Sequence, residues 1–297
     1  MKLIESRAEY IPQSPGLNGI YEQIELAGRT AYHSQDKITA GSAMEFVDRM
    51  IKSRHYAALE HGTVYLNTYF TWDSDFYASN PYSVRTCPDT LYYITTNLRV
   101  LLENNRLEDL DKEHWFCDGP CKEHEKRYTF RFTCSRAIAQ ELTRHRTFSF
   151  LMESQRYCGY DKGKFNGETT FIAPSWLGKL CSAGISNPET GYSDMFTLND
   201  YYNQLQDAEN AYMTARTAGL QPQEARDILP NAVKTELIMT GFASDWRYLL
   251  DLRLFEKTGK VHPDMKDLMG KTRNAMEEAG IWEDIINHTS KFNNQTT

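Results

Sequence analysis

Strand-like and helical stretches follow one another along this sequence without a repeating unit, and that order restricts the fold more than any other feature. Residues 128–134 alternate aromatic and polar side chains, as a strand with one buried face does. They run into 136–146, rich in strong helix formers, with Ser135 placed as its N-cap. The join recurs later: 232–240 reads as a strand, and Ser244 as the cap of a helix reaching about Glu256. Upstream, 19–34 and 42–54 read as helices, the second with Met44, Phe46, Val47 and Ile51 mostly along one stripe. Val64, Leu66 and Tyr69 suit a strand. Residues 71–93, with Asp, Ser, Asn and Pro, read as irregular; 91–105 pass from β-like to helix-like; 105–126 read as polar and exposed. The longest helical pattern, 197–219, opens on Thr197 and Asp200 in a capping arrangement and stops at Gly219. Pro222 opens a short helix ended by Pro230, and Pro263 begins the last long one. Without regular strand–helix–strand alternation the expected fold is α+β, a mixed or antiparallel sheet flanked by long helices.

Composition narrows the class. The 297 residues are 40% hydrophobic and 25% charged, an ordinary globular balance. No apolar run approaches the roughly 20 residues that span a bilayer, and the first residues lack the apolar stretch of a signal peptide, so a cytoplasmic location without membrane attachment is expected. A net charge of -7 counts against a general nucleic-acid binder. Six scattered cysteines are too few for a secreted disulfide scaffold of this length and read as reduced thiols.

The chemistry concentrates in residues 136–157. Four arginines, Arg136, Arg144, Arg146 and Arg156, fall within 21 residues. Their planar forks suit phosphate, and Ser154 and Gln155 can add neutral hydrogen bonds. Helical spacing puts Glu141 on the same face as His145; a carboxylate there suits a sugar hydroxyl or a base N–H better than phosphate. The string Arg144-His145-Arg146, seven residues, then Ser154, flanked by Glu141 and by Gln155-Arg156-Tyr157, resembles the signature of the flavin-dependent thymidylate synthases. A second block falls in that family's order: Ala225-Arg226, Leu229-Pro230-Asn231, Lys234-Thr235-Glu236, Trp246 and Leu252-Arg253. Leu59-Glu60-His61-Gly62-Thr63 is similar to its early segment. The resemblance covers most of residues 40–280, with about 72–126 as an insertion inside a single catalytic domain over 1–297.

The resemblance implies the family's fold and its reaction: methylation of C5 of dUMP to dTMP with methylenetetrahydrofolate as carbon donor and FAD, reduced by NADPH, as hydride source. It also implies a homotetramer with shared active sites. Carried over residue by residue, Glu141, Arg144, Ser154, Gln155, Arg156, Arg226 and Arg253 would contact dUMP. His61, Thr63, Arg144, His145, Arg146 and Tyr248 would contact FAD, and Arg253 would stabilise charge developing near N3 of the pyrimidine. No residue adjacent in sequence would activate Ser154 as a nucleophile, so it reads as a hydrogen-bonding group, and Cys158 as a small buried residue.

Two positions depart from the family pattern. Met152 stands where members often carry Gln or Glu, and Phe242-Ala243-Ser244 replaces an Asn-x-Arg-like run that contacts FAD; Asn97 and Arg99 are candidates to compensate. His114, Cys117, Cys121 and His124 offer ligand types for zinc at compressed spacing, against a solvated loop with reduced cysteines and no metal. Two rival functions stay open. One is a flavoprotein with a changed nucleotide substrate. The other is an RNA-binding module stacking bases on Phe148, Phe150 and Tyr157, against which the acidic total counts.

Overall fold

The computed structural model describes residues 1–69, 74–88, 90–112, 115–156, 159–161, 163–165, 167–180 and 196–288. In chain order the strands and α-helices are β1 (Lys2–Ile4), β2 (Arg7–Ile11), α1 (Gly16–Ala31), α2 (Ser42–Lys52), β3 (Thr63–Tyr69), α3 (Asp75–Ser79), β4 (Val84–Thr86), β5 (Leu91–Asn97), α4 (Leu98–Glu103), β6 (Phe116–Cys117), β7 (Arg127–Ser135) and α5 (Arg136–Leu142). There follow β8 (Ser149–Met152), β9 (Thr170–Ile172), α6 (Leu198–Thr217), α7 (Pro222–Ala225), β10 (Lys234–Phe242), α8 (Ala243–Arg253), α9 (Pro263–Glu278) and α10 (Trp282–Ile286). The α+β expectation holds. One four-stranded sheet has the order β2-β7-β10-β8, another β4-β5-β3-β6, both antiparallel throughout, and β1 pairs β9 in parallel.

The period-2 pattern of β7 sorts its residues between two environments. Tyr128, Phe130, Phe132 and Cys134 enter a core with Leu237 and Met239 of β10, Trp246, Leu249 and Leu250 of α8, and Met265, Leu268 and Met269 of α9. Phe130 packs 4.8 Å from the Trp246 ring, whose indole N–H donates to the Tyr128 carbonyl. The second core joins α1 and α2 to the other sheet through Ile20, Ile24, Phe46, Val47, Leu59, Val64, Leu66 and Ile94. The two helices approach closely at Gly28, where a Cβ would lie 2.4 Å from the Phe46 ring, so any larger residue would force them apart.

Several local expectations need correction. The buried stripe of α2 is Ala43, Phe46, Val47 and Met50, the i, i+3, i+4, i+7 set, while Met44 is 61% exposed. Residues 71–93 are not wholly irregular: α3 and β4 lie within them, and β5 begins at Leu91. Residues 105–126 are not uniformly exposed, since Asp109 and His124 are buried. Asp109 accepts from Tyr77 Oη at 2.6 Å and from Arg106 Nε at 2.7 Å, so the charge is buried with its partners. The helix expected over 136–146 ends at Leu142, because the chain must turn to start β8 opposite β10. Ser244 does not cap α8. The helix leaves β10 directly from Phe242, and neighbouring groups take its first N–H donors: the Lys126 carbonyl from Ala243 and Glu125 Oε1 from Ser244. Thr197 and Asp200 do form the reciprocal capping box of α6.

Candidate active site

A cavity of about 430 Å³ opens between the last turns of α1, the 3-10 turn Tyr56–His61 and the edge strand β8. Gly28, Ala31, Met50, Ala58, Leu151 and Met152 give it apolar walls, while Arg54, His55, Arg99 and Ser154 supply polar groups. An apolar concavity with a few convergent polar groups suits a small organic ligand with an anionic part. Arg99, a candidate from the sequence to compensate in FAD binding, is held by Glu60 at 2.5 Å and Glu103 at 3.0 Å. Asn97 is buried and caps α4, its Oδ1 accepting from the Val100 N–H at 3.1 Å.

Past α5, the turn carrying Arg144-His145-Arg146 places both arginines in solvent. Among the described residues neither guanidinium has a carboxylate partner. His145 lies between them, half-buried, and its Nε2 accepts a hydrogen bond from Arg253 Nε at 3.2 Å. Burial first, and the Arg253 charge second, lower the His145 pKa to about 4, so near pH 7 the ring is neutral. Arg253 is the last residue of α8, where the helix dipole favours a cation. Tyr248 is half-buried on the same helix.

A second histidine and arginine meet in the interior, on the face of β7 and β10 opposite the Trp246 core. His61 is wholly buried, with Nδ1 2.8 Å from Thr240 Oγ1, itself 2.8 Å from Thr129 Oγ1. Arg127, at the start of β7, donates to the Glu60 carbonyl at 3.1 Å, Thr63 Oγ1 at 3.4 Å and Ser149 Oγ at 3.3 Å, with its guanidinium 5.4 Å from the Phe242 ring centre. Burial pushes Arg127 down to about 10 and His61 to about 3, the latter also opposed by the Arg127 charge. Gln13 closes the cluster, its amide exchanging two 2.8 Å hydrogen bonds with the Thr63 backbone. His61 and Thr63 are therefore turned into the core, an environment that does not fit direct contact with a flavin. The sequence carries little sign of Arg127: the local signal is a charged residue in line with Thr129 on an alternating strand.

Ser154, Gln155 and Arg156 follow β8 at its other end. The Ser154 N–H donates to the Ala31 carbonyl at 2.9 Å, and Ser154 Oγ accepts from the Arg156 N–H at 3.3 Å. Gln155 is buried and donates to Tyr160 Oη at 3.3 Å, whereas the Arg156 side chain is exposed. Arg226 lies just after α7, half-buried, 3.9 Å from Asp227. Glu141 is half-buried on α5. Among the described residues no hydrogen bond or ion pair joins the side chains of Glu141, Arg144 or Arg146 to those of Ser154 or Arg226. The four-residue strand β8 separates the arginine turn from Ser154. Tyr157 and Cys158 lie outside the described residues.

Of the zinc candidates, His114 also lies outside them. His124 has both ring nitrogens engaged by backbone: Nδ1 accepts from the Cys121 N–H at 2.9 Å, and Nε2 lies 3.1 Å from the Leu66 carbonyl. Cys117 and Cys121 are free thiols, and burial, with Cys121 alongside, raises Cys117 to about 11. Neither observation fits a ligand set poised for metal.

Residues 122–279 match the Thy1 family, described as thymidylate synthase complementing protein. The flavin-dependent thymidylate synthase of Corynebacterium diphtheriae is 34% identical over 128 residues, 41% of this chain and 46% of that protein. That of Pyrococcus furiosus is 30% identical over 132 residues, 43% and 48%. The chain thus spans about half the length of these relatives. A longer match, to the enzyme of Mycolicibacterium vanbaalenii, covers 83% of this chain and 72% of that protein at 23% identity. Among solved structures, the UMP/dUMP methylase PolB from Streptomyces cacaoi, bound with 5-Br dUMP, aligns over 96% of both chains with a TM-score of 0.44 and 16% identity.

Proposed function

This chain belongs to the Thy1 family of thymidylate synthase complementing proteins, and on that premise we propose that it is a flavin-dependent thymidylate synthase. The reaction is the reductive methylation of C5 of dUMP to dTMP. Methylenetetrahydrofolate is the carbon donor, and FAD, reduced by NADPH, supplies the hydride when bound. The observation that carries this reading is the surface turn Arg144-His145-Arg146: two solvent-facing guanidiniums without carboxylate partners among the described residues, beside a neutral histidine that Arg253 holds in place.

Each part has a role that its surroundings allow. Arg144 and Arg146 fit the phosphates of nucleotide or cofactor, because nothing neutralises them within the described chain. Arg253 uses one N–H on His145 and presents the rest of its guanidinium as a fixed cation for charge developing on the pyrimidine. Ser154, Gln155, Arg156, Arg226 and Glu141 hold dUMP, with Ser154 on the cavity wall as a hydrogen-bonding group. Tyr248 completes the flavin side, and His61 and Thr63 act from behind it, as supports of the 3-10 turn that lines the cavity. The strand β8 between the arginine turn and Ser154 supports a homotetramer in which several subunits build one site.

The remaining assignments rest on composition and order along the chain. They are a single catalytic domain with a family-variable insertion at about 72–126, a cytoplasmic place, and no nucleic-acid or membrane partner. Among the described residues no helix is long and apolar enough to cross a membrane.

The test is dTMP formation from dUMP, methylenetetrahydrofolate and NADPH, using protein stripped of flavin, with and without added FAD. Strict dependence on FAD is expected. No product from folded, flavin-loaded protein would overturn the reading and favour a changed nucleotide substrate, for which Met152 on the cavity wall is the residue to revert first.

A further inference from the structure

Between Met152 and Ser154, both on the cavity wall, Glu153 does not line the cavity. It is 2% exposed and turned inward, with Oε2 2.9 Å from Lys234 Nζ; Lys234 also meets Glu236 Oε1 at 3.0 Å. Glu236 Oε2 accepts from Gln35 Nε2 at 3.4 Å, and the same amide lies 3.5 Å from Thr30 Oγ1 in the last turn of α1. The backbone follows the same route: the Glu153 N–H donates to the Glu236 carbonyl at 2.8 Å and the Ser154 N–H to the Ala31 carbonyl at 2.9 Å. Two walls of the cavity, the end of β8 and the end of α1, are thus tied to β10 through one ammonium shared by two carboxylates. Burial alone would depress the Lys234 ammonium, but Glu153 and Glu236 outweigh it and hold its pKa above the ordinary lysine value.

Packing does not explain this arrangement. The other carboxylate oxygen, Glu153 Oε1, is buried with no hydrogen-bond partner among the described residues, which costs free energy rather than adding it. An apolar pair of similar volume would serve the core as well. What a charged pair adds is a fixed geometry, and here it fixes the residues beside the cavity. Its reach extends to Gln155, whose amide donates to Tyr160 Oη at 3.3 Å; burial first, then the nearby Glu153 charge, keep that phenol protonated.

The geometry points to Glu153 and Lys234 as a positioning pair for the nucleotide loop: they set where Ser154 and Gln155 present their hydrogen-bonding groups, without touching the ligand themselves. This rests on the reading of Ser154 and Gln155 as dUMP-binding residues. A small displacement of such groups weakens binding of the nucleotide more than it slows a step carried by the flavin.

Steady-state kinetics of E153Q, K234M and K234R in the full-length, FAD-loaded enzyme test it. E153Q and K234M are expected to raise KM for dUMP about tenfold with kcat changed less than about twofold, and K234R to restore most of the loss. If K234M does not fold, E153Q/K234M removes the ammonium without leaving an ionised Glu153; its KM should rise at least as far as that of E153Q, because it loses the Lys234–Glu236 contact as well. A merely structural pair would lower the melting temperature and leave the KM of the folded enzyme unchanged; that result overturns the inference. Wild-type enzyme that neither binds dUMP by calorimetry nor makes dTMP would instead overturn the nucleotide reading and the positioning role with it.

Discussion

The molecule contains two histidine–arginine neighbours, His61 with Arg127 and His145 with Arg253, built from the same chemistry and put to different use. In both, burial and then the arginine charge keep the imidazole neutral, with pKa values near 3 and near 4. The interior pair ends in hydroxyls and carbonyls of its own chain: Thr240, Thr63, Ser149 and the Glu60 carbonyl. The other pair stands between two solvent-facing arginines at the end of α8. A depressed histidine pKa therefore does not distinguish a site from a structural joint. What distinguishes them is whether the neighbouring cation has donors that a ligand can reach: Arg127 Nε has no hydrogen-bond partner among the described residues either, but it is buried.

The largest difference between the two pairs is expected when each arginine is removed in turn. Arg253→Ala is expected to fold and bind FAD while losing at least about a hundredfold in methylation, since a pre-placed cation of this kind contributes at that scale. Arg127→Ala is expected to cost about 3 kcal/mol of stability, because several buried acceptors lose their donor and a void is left. Denaturant unfolding and turnover measured on the same preparations separate the two effects. Near-normal turnover in Arg253→Ala, or unchanged stability in Arg127→Ala, would show that the assignments are reversed or void.

A smaller effect comes from acid. An unfolded histidine takes up a proton as pH falls through about 6.5, whereas native His61 stays neutral down to about 3. The unfolded state then binds more protons, so the stability present above pH 6.5 is lost progressively on acidification. For His61 alone the loss between pH 7.5 and pH 5 is about 2 kcal/mol. His145 and His124, whose pKa values are also lowered mainly by burial, act in the same direction. His61→Asn should flatten the pH dependence by that amount when urea midpoints are compared at the two values. An unchanged slope would mean that His61 is protonated or solvated in the native protein, and not sealed as its pairing indicates.

The pair flanked by surface arginines is more legible in the sequence than the buried one, for a physical reason. Arg144, His145 and Arg146 are adjacent, their charge density is local, and their contrast with the acidic chain is visible without knowing the fold. The α+β class was legible on the same footing, since the pattern of 128–134 and the helix after Ser135 are local signals. The interior cluster draws on residues 61, 63, 127, 149 and 240, and depends on the register that sets Thr240 opposite Thr129 and Ser149, and Phe242 opposite Arg127. Register of that kind is decided by strand pairing, which no local window contains. The start of α8 failed for a related reason: the groups that take its first N–H donors come from residues 125 and 126, so a capping residue within the helix sequence was not required. Glu153 was equally hidden, because its partner Lys234 arrives from the neighbouring strand.

The smallest effect belongs to Thr240, and it tests whether the interior pair is a joint at all. Its hydroxyl has one proton and two neighbours at 2.8 Å, His61 Nδ1 and Thr129 Oγ1, so it donates to one and accepts from the other. Thr240→Val keeps the shape and removes both hydrogen bonds, leaving the imidazole nitrogen and the Thr129 hydroxyl buried without that partner. The expected cost is about 1 kcal/mol, read as a lower urea midpoint with the slope unchanged. Because the residue is wholly buried and its partners His61 and Thr129 face the interior rather than the cavity, turnover per folded molecule should not change. If turnover or flavin affinity fell instead while the midpoint stayed in place, the interior pair would be part of the flavin site. His61 and Thr63 would then reach the cofactor through a rearrangement of the 3-10 turn that lines the cavity.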